Sequence, residues 1–107
     1  MPRRRVGIVG FGKLGQFLVE AILTDPTASA RLELAFVWNR TAATVVDDPR
    51  VPDDAVLQDL SDFASRKADL IVEVAHPNIT KIHGDAFLAS GADYMCGSPT
   101  AFADAER

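Results

Sequence analysis

Apolar residues fall along this chain in two rhythms. Residues 6–9 form a short, largely β-branched run. A strand covered on both faces needs no polar alternation, so this run predicts a buried strand. From Lys13 the period changes. Leu14, Phe17, Leu18, Ala21 and Ile22 recur at three- and four-residue steps and predict a helix that turns this face inward. Asp25-Pro26 ends it, because the residue before a proline is pushed out of helical geometry. Residues 32–38 (LELAFVW) read as a second strand leading into Asn39-Arg40, and residues 41–47 as a short helix capped by Thr41. Pro49 and Pro52 enforce a loop, residues 55–57 make a weak third strand, and residues 61–65 a helical turn. Residues 70–75 (LIVEVA) are the next buried strand. Pro77 then sits where a first helical turn tolerates it, and the helix face is Ile79, Ile82, Ala86 and Phe87. Gly91 supplies the stop, residues 93–96 a last strand, and residues 100–107 the beginning of a helix-like stretch.

This alternation predicts an α/β fold of one domain, residues 1–107, with a doubly wound parallel sheet and helices on its faces. No internal repeat, linker or low-complexity segment interrupts it. The alanine-rich close (Ala101, Ala103, Ala105) predicts a truncated piece, or a short product, of a longer gene, and so a sheet incomplete without the domain that follows.

Charge removes several classes of function. The net charge of −4 argues against a nucleic-acid partner, and the one basic run, Arg3 to Arg5, reads as a solvated lead-in. No apolar stretch approaches the ~20 residues of a membrane span. Gly7, Gly10, Gly12 and Lys13 break up the first apolar run, so no signal-peptide core is visible. The single cysteine, Cys96, allows no internal disulfide and fits a reducing, cytoplasmic compartment. Cys96 with His76 and His83 does not make a metal site, and none is predicted.

The first strand runs straight into G-x-G-x-x-G and then into the first helix (VGIVGFGKLGQ, residues 6–16), the context in which that spacing carries weight. Gly10 permits the tight turn, Gly12 lets a pyrophosphate approach the backbone, and Gly15 lets the helix pack closely. Free N–H groups opening the helix then hold the phosphates. Phe11, Lys13 and Leu14 fill the variable positions; Lys13 is either a solvated lysine or a screen for the phosphate charge. The fold is thus a Rossmann-type sheet that takes NAD or NADP. The second strand bears on the choice. An acidic residue at its end would hold the adenosine ribose, but Asn39 and Arg40 stand there. An arginine fork binds a 2′-phosphate that a carboxylate would repel, so NADP is accepted and preferred, with Thr41 adding a hydroxyl and Asn39 still able to bond a plain ribose. Ala75, His76 and Pro77, together with Gly97, Ser98 and Pro99, lie at strand ends and border the nicotinamide half. His76 has three open readings: general acid or base, cleft lining, or helix cap. His83 reads as structural and Cys96 as a small buried side chain. Glu73, inside an apolar strand, needs a partner, either a ribose or a neighbouring loop backbone.

Four stretches in this order, VGIVGFGKLGQ, LAFVWNR, DLIVEVAHP and GSPTAFAD, resemble the N-terminal domain of the L-aspartate dehydrogenase family over residues 6–104. That resemblance implies hydride transfer from the α-carbon of L-aspartate to NAD or NADP. The iminosuccinate formed hydrolyses to oxaloacetate and ammonia or feeds pyridine nucleotide biosynthesis. It also implies a second α/β domain after Arg107 that carries the substrate-binding residues and a catalytic histidine, and that builds much of a homodimer contact. On this reading no catalytic residue lies in these 107 residues, and the chain alone binds cofactor weakly and turns nothing over. The alternatives are a homoserine dehydrogenase-like or dihydrodipicolinate reductase-like oxidoreductase, and a non-catalytic cofactor-sensing domain.

Overall fold

A computed structural model describes residues 3–97; the expectations for Ser98, Pro99 and residues 100–107 lie outside the described residues, as does the side chain of Pro77. The first strand, β1 (Arg4–Val9), leads through the glycine loop into α1 (Lys13–Thr24) and then α2 (Pro26–Arg31). There follow β2 (Leu32–Trp38), α3 (Ala42–Val46) and two 3-10 segments, Asp53–Ala55 and Leu60–Arg66. The described chain closes with β3 (Leu70–Glu73), α4 (Pro77–Ala89) and β4 (Asp93–Cys96).

The four strands run parallel in the order β2-β1-β3-β4. The chain leaves β1 toward one edge to reach β2 and returns to β1's other side for β3. Between β1 and β3 the winding therefore reverses, which is where open sheets of this kind leave a crevice at the strand C-termini. The sheet buries both faces. On one, Val6, Ile8 and Val72 pack with Val19 and Ile22 of α1 and Val45 of α3; on the other, Val9, Phe36 and Ile71 pack with Leu60, Phe63 and Phe87. Covering both faces is what allows residues 6–9 of β1 and 70–72 of β3 to be wholly apolar. Gly7 makes room inside the sheet, since a Cβ there would lie 2.2 Å from the ring of Phe36.

Four details depart from the sequence-based expectation. Asp25-Pro26 ends α1 but also starts α2: the Asp25 carboxylate accepts the N–H groups of Thr27 (2.9 Å) and Ala28 (3.0 Å), and Pro26 occupies the first turn. The third strand shrinks to one parallel bridge, Val37 to Val56, because the residues before it are taken up by the 3-10 turn. On α1 the buried stripe is Gly15, Val19 and Ile22, while Leu14 (51% exposed) and Phe17 (65%) face outward. Gly15 sets this rotation by approaching Gly10 so closely that its Cβ would lie 2.1 Å from the Gly10 carbonyl. On α4, Phe87 is fully buried but Ile82 stays 72% exposed, and Ala86 is exposed too.

The outward turn of α1's leucines leaves an apolar groove of about 430 Å³ between α1 and the β3–β4 side of the sheet, lined among others by Leu14, Leu18, Val72, Val74 and Met95. No helix among the described residues is long and apolar enough to cross a membrane.

Candidate dinucleotide site

The glycine loop owes its shape to three different constraints. Gly10 has φ +116°, a conformation L side chains rarely adopt, and its N–H donates to the Trp38 carbonyl at 2.6 Å. Gly15 is required by the contact with Gly10 already described. Gly12 is different. Its φ is −75°, and a Cβ added there would meet no protein atom within 4 Å. Folding therefore does not ask for glycine at this position, whereas a ligand pressed onto the backbone would. Gly12 is the N-cap of α1 and no side chain caps that helix, so its first-turn N–H groups, which have no intrahelical acceptor, face the loop.

A cleft of about 320 Å³ opens at this helix end, over the crevice between β1 and β3. Its walls are Gly10, Phe11 and Gly12 from the glycine loop, Trp38, Asn39 and Arg40 from the end of β2, and Val74, Ala75, His76 and Ile79 from the loop opening α4. Three of the four stretches read from sequence as cofactor loops thus contribute to one cavity. A larger hollow lined by Phe63, Lys67 and Ser90 lies beside the loops that lead into β3 and β4, away from the glycine loop. A dinucleotide belongs instead at the carboxyl ends of the strands.

Within the cleft each side chain has a defined task. Asn39 ties two loops together: its Oδ1 accepts the Phe11 N–H at 3.0 Å and its Nδ2 donates to the Thr41 carbonyl at 3.2 Å. One amide proton and one lone pair remain for a ribose. Arg40 is exposed at the rim, and its guanidinium has no partner among the described residues. Thr41 is the exposed N-cap of α3, without a side-chain cap bond. The Phe11 ring turns away from the cleft into the core. Its carbonyl accepts from Gln16 Nε2 at 3.1 Å, and Arg50 bonds Gln16 Oε1 at 3.0 Å while lying 5.9 Å from the Phe11 ring centre. Bonds from the Arg50 side chain, and then from its backbone N–H, hold the Asp48 carboxyl down at about 2.

His76 takes the capping reading. Its Nδ1 accepts the Asn78 N–H at 3.1 Å at the start of α4, so the ring proton sits on Nε2 while it caps, and Nε2–H is its remaining donor at the cleft wall. Pro77 opens α4 as expected. Lys13 is exposed beyond the cleft walls, and Leu14 lines the apolar groove instead. Gly97 also borders that groove, with its N–H on the Glu73 carbonyl at 2.6 Å; it is the only one of Gly97, Ser98 and Pro99 among the described residues. His83 stacks on Phe87, with ring centres 5.8 Å apart. Trp38, Val74 and Ile79 complete the cleft without having been singled out from sequence. Trp38 and Val74 are the last residue of one strand and the first beyond another, which is where the crevice rule points.

Glu73 is fully buried, and the expected bond to a neighbouring loop backbone is present: Oε2 accepts the Ala75 N–H at 2.5 Å. Its Oε1 accepts the Cys96 thiol at 3.2 Å. Cys96 is half-buried and hydrogen-bonded rather than a plain packing residue. Among the described residues no group of three or more His, Cys, Asp or Glu is placed to hold a metal ion.

Comparison with known proteins fits this geometry. Residues 10–107 match the family model described as homoserine dehydrogenase, NAD binding domain. The chain belongs to this family of NAD-binding domains. The domain is 52% identical over 102 residues to the aspartate dehydrogenase domain-containing protein of Danio rerio, covering 95% of this chain and 36% of that protein. To the L-aspartate dehydrogenase of Brucella anthropi it is 31% identical over 98 residues, covering 91% and 35%. The resemblance read from the four sequence stretches is therefore matched by relatives that carry that name. The NAD-binding domain spans about a third of the length of these curated relatives. In fold it matches dihydrodipicolinate reductase from Paenisporosarcina sp. TG-14, with a TM-score of 0.68 at 21% identity over 91% of this chain and 38% of that one.

Proposed function

We propose that this chain is the dinucleotide-binding domain of an NAD(P)-dependent L-aspartate dehydrogenase, with NADP preferred. Gly12 carries the reading: the protein leaves that position open on all sides and places it at an uncapped helix start, inside the cleft where the three loops meet. These residues fit the group. The α1 N–H groups and the bare Gly12 backbone would hold the pyrophosphate. Asn39, Arg40 and Thr41 would hold the adenosine ribose and its 2′-phosphate. Val74, Ala75 and His76 would wall the nicotinamide side, with His76 Nε2–H as a donor rather than a base. The bound nicotinamide would supply the hydride acceptor. The substrate side, a homodimer contact, a cytoplasmic location and a link to pyridine nucleotide biosynthesis belong to the same proposal, supported by the named relatives.

Trp38 is the chain's single tryptophan and stands in the cleft wall, so its fluorescence reports occupancy. Titration with NADP and NAD should show tighter NADP binding. Arg40→Ala should lower NADP affinity about tenfold, the effect of one charge-assisted bond, and leave NAD nearly unchanged. Equal affinity for both cofactors in both proteins overturns the preference; no quenching by either overturns the cofactor assignment. The family description and the fold match also favour a second reading, an oxidoreductase acting on aspartate semialdehyde or a related substrate. Assaying the full-length protein on aspartate and on aspartate semialdehyde separates the two.

A further inference from the structure

Behind the cleft lies a run of polar groups that the cofactor contacts do not use. Tyr94 OH lies 2.7 Å from Thr80 Oγ1, Thr80 Oγ1 donates to Cys96 Sγ at 3.4 Å, and the Cys96 thiol donates to Glu73 Oε1 at 3.2 Å. Either hydroxyl can donate in the Tyr94–Thr80 pair. The run thus passes from Tyr94 of the edge strand β4 to Thr80 of α4, back to Cys96 of β4, and on to the carboxyl group at the end of β3. The other oxygen of that carboxyl group holds the Ala75 N–H.

Ala75 is where this run reaches the cleft. Its N and Cβ stand 2.9 Å from where a Cβ on Gly10 would be, so the 74–76 loop rests directly on the glycine loop. A shift of Ala75 would move the nicotinamide-side wall and the floor beneath Gly10 together.

We infer that Glu73 is a positioning residue for the cofactor: its buried carboxyl group clamps the Ala75 N–H and the Cys96 thiol, and so fixes the 74–76 wall against the glycine loop. The inference rests on the dinucleotide reading above. It predicts that Glu73 acts on the nicotinamide half of the ligand and leaves the adenosine half alone. A residue that merely stabilised the fold would affect both halves.

The test compares NADP with adenosine 2′-phosphate, which lacks both the pyrophosphate and the nicotinamide, by Trp38 fluorescence, alongside hydrogen exchange of the Ala75 amide in the ligand-free chain. Glu73→Met keeps the length and removes both acceptors. It should weaken NADP about tenfold, change the fragment's affinity by less than about twofold, and speed Ala75 exchange. Glu73→Gln keeps an acceptor for Ala75 and should restore most of both readouts. Equal loss of the two ligands in Glu73→Met, Ala75 exchange unchanged, or no rescue by glutamine would each overturn the positioning role. If Glu73→Met does not fold, Cys96→Ala removes one donor to the clamp. A fall in the NADP-to-fragment affinity ratio then supports the inference, and an unchanged ratio overturns it. A wild-type chain that binds neither ligand refutes the cofactor reading, and the Ala75 exchange still decides whether the clamp exists.

Discussion

At the scale of single residues, the three loop glycines answer to different forces, and substitution should separate them. Gly10→Ala must hold a side chain at φ +116° against Ala75, and should cost on the order of 2 kcal/mol of stability. Gly12→Ala puts a methyl group into open space and should shift stability by less than about 0.5 kcal/mol. On the proposed dinucleotide reading it should nevertheless weaken dinucleotide binding about tenfold or more, because the methyl group would stand where the pyrophosphate is to meet the backbone. Chemical denaturation beside fluorescence titration of the two variants checks this; a Gly12→Ala protein with wild-type affinity would contradict it. The tight turn at Gly10 was legible from the spacing and its place between strand and helix. That Asn39 ties the loops together was not, because its two bonds go to backbone groups of Phe11 and Thr41, which no side-chain pattern announces.

At the scale of elements, α1 shows how a correct helix can be given the wrong inner face. Of Leu14, Phe17, Leu18, Ala21 and Ile22, Ile22 is buried and Leu18 packs on the core as expected, but Leu14 and Phe17 stay exposed and the fully buried stripe is Gly15, Val19 and Ile22, since closeness at Gly15 decides the rotation. A glycine adds nothing to a hydrophobic pattern, so the deciding contact is silent in it. The central strands β1 and β3, by contrast, were legible because burial on both faces writes itself as a short apolar run at residues 6–9 and 70–72. Helix α2 was written in Asp25-Pro26 as a cap and first turn, which the expected stop concealed. The link between α1 and the loop after α3 carries a pH prediction. Asp48 has a carboxyl group held at about 2, against 3.8 ordinarily, chiefly by Arg50. A lowered folded pKa means that the contribution is present above the unfolded value and is lost as pH falls through the folded one, here from about 4 to about 2. Carbon-detected titration of Asp48 should give that low midpoint in the wild type and a return toward the ordinary carboxylate range in Arg50→Ala.

For the whole molecule, the described residues hold the candidate cofactor cleft, and none of them is placed in the proposal to clamp a substrate over it. Hydride transfer needs the two carbons held about 3–3.5 Å apart in a fixed orientation. The chain by itself should therefore bind dinucleotide and release no NADPH-absorbance signal with L-aspartate; steady-state turnover by these 107 residues would contradict the division of labour. The apolar groove beside α1 is the other large-scale feature. Its position was not legible, because it depends on the rotation of α1.

Gly12 has a bearing on how such domains change over time. Chain collapse leaves room for a methyl group there, and on the proposed reading it is a visiting diphosphate that objects. A lineage that stopped using the nucleotide would be released from that objection at once, while Gly10 and Gly15 would still be policed by the backbone. Erosion at this one position, with its two neighbours intact, would therefore mark a descendant that has kept the scaffold and abandoned the ligand.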